Sequence, residues 1–371
     1  MNFRSSKSAV ARELNLLQGV VEKKNTIPIL SHILIETTGN ASEVSMIATD
    51  LDVSVRTTCE AEVTTQGSMV VSARKLFDIV RNLPEAEIEF ATQDNNWVRV
   101  SCGSSEFKIA GQAKEHFPST PKADTRGLSF PARLLSVLIG RTIYAITQEE
   151  SRYALNGSLF LSSDGRLQMV ATDGHRLAIS GSESVEGAAG ENLRVIIPKK
   201  ALGELLKLTL GEESDMEFSK DENHLFFRIG KRHLTSRMLA GQFPNYELVL
   251  PKNNDKAFTT GTENIAQAIR RAALMADERS HGVKFEMATG RLSITSQTAD
   301  VGEAKETIAV DYEGEALSIG FNATYLLDFL SVVGTEQVIF EFRDDQSPAL
   351  LRPASKDAED YRYVVMPMRL M

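Results

Sequence analysis

The stretch ATDGHRLAIS, residues 171–180, sets Thr172, Asp173, His175 and Arg176 within five positions. An aspartate two residues from a histidine is raw material for general acid–base catalysis or, with further donors, for a metal site. Either chemistry needs partners. A base requires a nucleophile to activate and a group that orients it, and a metal requires ligands at fixed spacing. The chain offers no GxSxG, no HExxH, no Walker loop and no Rossmann fingerprint, and its six histidines form no second motif. Cys59 and Cys102 stand without CxxC or Cys/His spacing and read as reduced packing residues. No catalytic residue, metal or cofactor is therefore expected. Asp173 and His175 read instead as a structural turn or the rim of a binding pocket.

The elements that must position this turn recur three times, at a spacing of roughly 120 residues. In each block a helical stretch (SKSAVARELNLLQGVVEK, PARLLSVLIGRTIYAIT, ENIAQAIRRAALMADE) precedes two strand-like runs around a turn, and ATD itself appears at 48–50 and 171–173. Asp164-Gly165 between alternating runs is a hairpin signal. A second helix follows in each block, over 72–83, 197–210 and 322–333, with Ser72 and Asn322 as N-caps, Pro198 in a first turn, and Pro84 and Gly334 as stops. Strand-rich sequence closes each block. The chain thus reads as three α+β domains of one type, each with two helices and about eight strands. The boundaries are 1–120, 128–250 and 251–371.

Of the 371 residues 42% are hydrophobic and 25% charged, ordinary values for a soluble multidomain chain. No secretory h-region and no run of roughly 18 apolar residues is present, so a cytoplasmic protein without membrane partners is expected. The net charge of −9 argues against a nucleic-acid partner, but its distribution argues the other way. The six predicted helices (7–24, 72–83, 130–147, 197–210, 262–276, 322–333) together carry +8, leaving −17 for strands and loops. Helices facing one way would form a positive lining inside a negative shell.

TIPILSHILIE, ARKLFDIVRNLP, RYALNGSLF, ATDGHRLA, FPNYELVLPK, IGFNATYLLD and YVVMPMRL make the chain resemble the bacterial DNA polymerase sliding clamps, the β subunits of the replicative polymerase holoenzyme. The resemblance spans the whole chain. It implies a non-catalytic processivity factor: a head-to-tail homodimer whose helices line a hole around duplex DNA, placed there by a clamp loader. Polymerases, repair proteins and ligation proteins would then be tethered by short peptide motifs. About twelve helices, each about 10 Å wide, leave a bore of about 28 Å, enough for a hydrated duplex about 20 Å across. Sequence-independent contact of this kind permits sliding.

The resemblance also assigns residues. The peptide groove would draw Leu155, Thr172, Gly174, His175, Arg176 and Leu177 from the second domain. Pro244 and Val249 would come from the connection to the third, Asn322 and Tyr325 from its last helix, and Val364, Val365, Met366, Pro367, Met368 and Arg369 from the tail. Arg176, Arg369 and His175 would donate to peptide carbonyls or carboxylates. Lys24, Arg133, Arg141, Arg152, Lys199 and Lys200 would face DNA, with Glu149 and Glu150 weakening contact nearby. Ring closure would set Phe107 and Ile109 against Leu274 and Met275. Around them Arg74, Lys75 and Lys108 would face Asp300, Glu303 and Glu306. Leu248 and Ser280 depart from the family pattern at the groove. Two rivals remain: a hydrolase built on His175 and Asp173, and a peptide-binding scaffold that never encircles DNA.

Overall fold

The computed structural model describes residues 1–21, 27–122, 127–149, 151–185, 192–300, 302–355 and 360–369; Lys24, Glu150 and Met371 lie outside the described residues. Among the described residues the helices are α1 (Lys7–Leu17), α2 (Ala73–Asn82), α3 (Ala132–Gly140), α4 (Lys199–Thr209), α5 (Thr262–Ala273) and α6 (Ala323–Val332). Their starts follow side-chain chemistry. Ser72 accepts the Lys75 N–H, and Asn322 accepts those of Thr324 and Tyr325, each satisfying donors that a first helical turn leaves unpaired. Pro198 falls one position early, as the last residue of the strand before α4.

Two helices are shorter than their apolar periodicity predicts. α1 stops at Leu17, where i+3 hydrogen bonds from Gly19 and Val20 tighten the chain out of the helix. The side-chain ends of Glu204 and Lys207 on α4 come close to Gly19, where a Cβ would displace them. α3 stops at Gly140. Beyond it the Thr142 hydroxyl donates back to the Leu138 carbonyl at 2.8 Å, and a short 3-10 turn, Ile143–Ala145, takes over.

The chain forms two compact units, Met1–Ser136 with Lys200–Met238, and Val137–Lys199 with Leu239–Met371. The first holds a five-stranded sheet and a nine-stranded one, the second an eight-stranded sheet and a four-stranded one. The large sheets are built alike, by pairing a strand of one repeat with a strand of the next. In the first unit Val53–Glu60 pairs with Arg232–Arg237, and in the second Arg176–Ser184 pairs with Tyr361–Val365. That continuity is why the middle repeat contributes strands to both units. The Asp164-Gly165 hairpin is present, with φ of +50° and +77° as a tight two-residue turn demands.

Burial follows the strand period where one face is covered. In Gly282–Ala288 only Val283, Phe285 and Met287 are buried. Phe285, Phe321 and Phe329 are fully buried in the second unit, each contributing about 2–3 kcal/mol relative to exposure. Two charged residues are buried among the described residues, Glu13 and Glu204. Glu13 on α1, 2% exposed, accepts from Thr57 (2.6 Å), Arg12 (2.8 Å) and Arg232 (3.0 Å), all in the first unit. Burial pushes its pKa up, but these three donors outweigh that and hold it below the ordinary carboxylate value.

Candidate functional site

Thr172 to Arg176 make a side-chain-capped turn between the strands Arg166–Thr172 and Arg176–Ser184. Asp173 Oδ1 accepts the N–H groups of His175 (2.9 Å) and Arg176 (3.0 Å), while the Thr172 hydroxyl donates to the Arg176 carbonyl and accepts the Gly174 N–H. The other ATD is built the same way. Asp50 Oδ1 accepts from Asp52 (2.9 Å) and Val53 (2.6 Å). The aspartate in this motif is thus a backbone acceptor, which accounts for its recurrence without catalysis.

Gly174 has φ +89° and its counterpart Leu51 +81°. A Cβ at Gly174 would also meet Arg152 Nη1 at 2.7 Å. Gly174→Ala is expected to destabilise by about 1–2 kcal/mol, read as a lower melting temperature, because L side chains strain in this region. Leu51→Gly should leave the melting temperature unchanged or raise it. A loss in both would contradict the backbone origin of the effect.

Arg176 is the centre of the site. Its side chain is 9% exposed and bonds three partners at once: Nε to Asp173 (3.0 Å), Nη1 to Asp328 (2.5 Å) and Nη2 to the Tyr144 carbonyl (2.7 Å). The guanidinium also lies 4.3 Å from the Tyr325 ring centroid and 5.5 Å from that of Tyr144. Burial alone would lower its pKa, but Tyr363, Asp328 and Asp173 reverse the shift and raise it. Three of the five guanidinium N–H donors of Arg176 are thus engaged within the chain, tying the turn to α6 and to the Tyr144 carbonyl. Asp328 and Tyr144 were not legible as site residues, although Asp328 sits one helical turn after Tyr325 on α6.

The tail is fastened to the same assembly. The Phe329 and Tyr363 rings stack at 5.1 Å, and the Tyr363 hydroxyl donates to the Tyr325 carbonyl at 2.8 Å. Met366 N–H donates to the carbonyl of exposed His175 and Met368 N–H to that of Gly320, both at 2.9 Å. Beside this lies an apolar cluster in which Leu177 and Val364 are 3% exposed, packed with Val170, Ile179, Phe243 and Tyr246. Partly buried Leu155, Leu161, Leu239 and Leu250 rim it. Leu248 (78%), Val249 (49%) and Met366 (43%) are exposed large apolar side chains, and Pro244 and Arg369 are exposed. Val365 is fully buried, and Asn322 is occupied as the α6 cap, its amide donating to the Ser280 carbonyl. Tail, turn and apolar cluster all belong to the second unit.

The predicted DNA-facing groups are less free than their sequence suggests. Arg152 bonds the Asp173 carbonyl at 2.8 Å and Glu149 at 3.0 Å. Lys199 Nζ lies 3.4 Å from the Ile146 carbonyl; burial and nearby Arg176 lower its pKa. Arg141 sits over the Tyr361 ring, Lys200 pairs with Asp50, and Arg133 is exposed on α3.

Two sheet-edge strands carry or adjoin the residues that the resemblance assigns to ring closure. Ser105–Ile109 ends the five-stranded sheet with Phe107 39% exposed and Lys108 over the Trp97 ring, while Arg74 and Lys75 are exposed on α2. Gly302–Ala309 ends the four-stranded sheet. Near it Leu274 is 75% exposed, Met275 is half-buried, and Asp300 and Glu303 are exposed. Glu306 already has a partner in its own chain, Arg271 at 2.6 Å.

Comparison with known proteins agrees with this geometry. Residues 1–121, 129–245 and 247–369 match the N-terminal, central and C-terminal domains of the DNA polymerase III beta subunit. The beta sliding clamp of Pseudomonas putida is 36% identical and that of Caulobacter vibrioides 35%, each over 100% of both chains. A crystal structure of the Pseudomonas aeruginosa sliding clamp bound to griselimycin superposes with a TM-score of 0.93 at 35% identity, covering 100% of both chains. The chain therefore belongs to the DNA polymerase III beta subunits, non-catalytic DNA sliding clamps of replication.

Proposed function

We propose that two copies close head to tail into a ring enclosing duplex DNA, with the helices lining the hole, and that the groove beside Arg176 takes short peptides from partners. The domains would be bounded at 1–120, 128–250 and 251–371. The observation that carries the ring is that Ser105–Ile109, with exposed Lys108 and nearby Arg74 and Lys75, and Gly302–Ala309, with exposed Glu303, are both sheet-edge strands; Glu106 on the first and Lys305 on the second add charges of the other sign. An edge strand left unpaired is a template for another strand, and opposite charge selects which one. Net-basic helices fit a lining that meets phosphates at long range.

The groove reading rests on an apolar floor under a tail pinned at two backbone bonds, with Met366 and Leu248 as adaptable walls. Clamp loader, the replicative polymerase catalytic subunit and repair or ligation proteins are its proposed users, and DNA is contacted without base readout. Truncation after Val365 is expected to weaken binding of a labelled C-terminal peptide of the polymerase subunit by at least about tenfold, since the Met366 wall and the tail bonds are lost together. Unchanged anisotropy titrations would overturn the assignment.

A further inference from the structure

The seam joining the first two repeats matches, register for register, the seam beneath the groove. Val53↔Ser236, Ser54↔Thr235, Val55↔Leu234 and Arg56↔His233 stand where Arg176↔Val365, Leu177↔Val364, Ala178↔Tyr363 and Ile179↔Arg362 stand in the other sheet. The same capped turn leads into each. Phe117, in FPSTP, packs on Ile29, Leu30, Leu34, Ile47 and Val70. In the same way Phe243, in FPNYE, packs on Leu159, Val170 and Ile196. Position by position, a second concavity is called for.

It is there. A cavity of about 570 Å³ lies within the first unit on this face. One row across its strands reads Glu217, Arg228, His233, Arg56, Ile47, and the next reads Ser219, Phe226, Thr235, Ser54. Where the first groove presents Leu177, Ile179 and Val364, this one presents Ser54, Arg56 and Thr235. Its floor keeps apolar character at Phe226 (7% exposed) and Ile47 (3%), and Lys122 and Pro121 stand among the lining residues. Among the described lining residues, three permanent cations, Arg56, Lys122 and Arg228, face one carboxylate, Glu217, which Arg228 pairs. Arg56 spends one donor on the Thr120 hydroxyl at 3.3 Å. Burial, with Arg228 and Arg56 beside it, lowers the His233 pKa, consistent with a positive local potential.

We propose that this cavity is a second docking site, taking a short acidic peptide segment of a protein partner. A carboxylate of the segment meets Arg56 and Lys122, and an apolar side chain enters beside Phe226 and Ile47. The volume suits a few residues of peptide, and the charge excess selects acidic over neutral segments.

The test uses the full chain and a fluorescein-labelled hexapeptide, Glu-Asp-Phe-Glu-Leu-Asp, read by anisotropy. Saturable binding is expected, weakened about tenfold by Arg56→Gln and by Lys122→Gln, restored in Arg56→Lys, and unaffected by truncation after Val365. The Gln/Asn version of the peptide should bind about tenfold more weakly. Absence of binding at millimolar peptide, wild-type affinity retained in both Gln variants, or loss on tail truncation would each overturn the proposal. The last result would assign the peptide to the first groove instead.

Discussion

Arg176→Ala is expected to lower the melting temperature by about 6–12 °C and to abolish binding at the adjacent groove. The side chain is 9% exposed and neutralises two carboxylates, Asp173 at 14% and Asp328 at 34%. Removing it leaves both in a poorly solvated site and leaves the Tyr144 carbonyl without its donor. Breaking a buried pair from one side costs about 3–5 kcal/mol, and the partial exposure of Asp328 puts this case near about 3. For a folding unit of this size each kcal/mol moves the transition by about 2–4 °C. Binding falls for a second reason: the guanidinium fixes the turn whose His175 carbonyl holds the Met366 N–H. Arg176→Lys keeps the charge but loses the planar fork, so it should recover only part of both effects. Calorimetry of the three proteins, with the peptide titration repeated on each, reads them separately. A melting temperature within a degree of the wild type would contradict the assignment of Arg176 as the tie between turn and α6.

Leu274→Asp should leave the protomer's stability within about 0.5 kcal/mol yet weaken self-association by at least about 30-fold. Leu274 is 75% exposed, so the folded chain loses almost no packing with it. Isolated exposed leucines are ordinary. This one directly follows α5, which packs against the edge strand Gly302–Ala309, and the proposed closure sets it against Phe107 and Ile109, so a carboxylate here would be desolvated among apolar side chains. Sedimentation velocity at micromolar protein is expected to show a dimer for the wild type and a monomer for the variant. Identical distributions would remove Leu274 from the interface, and a monomeric wild type would remove the head-to-tail ring itself.

Local patterns carried most of what was legible in the sequence. The repeated ATD turn, the Asp164-Gly165 hairpin and the Ser72 and Asn322 caps each depend on neighbours within a few residues, and each is present. What local pattern cannot carry is a partner far along the chain. The Arg176 bond to Asp328 needs a residue 152 positions away. The burial of Glu13 against Thr57 and Arg232 likewise depends on residues 44 and 219 positions away. The Arg271 partner of Glu306, 35 positions away, is no more visible in local pattern. Helix lengths failed at two ends: apolar spacing continues past Leu17 and Gly140, but i+3 bonds from Gly19 and Val20 and a back-bond from the Thr142 hydroxyl replace the helical pattern there.

The central claim is enclosure of DNA, and topological retention tests it most directly. Protein loaded onto a nicked circular plasmid by its clamp loader and ATP is isolated, half of the complex is linearised, and the protein remaining on each form is measured at moderate salt. A closed ring predicts retention on the circle and loss from the linear form, because contacts without base readout let it slide off an end. Equal retention on both forms would contradict enclosure and leave ordinary phosphate binding in its place.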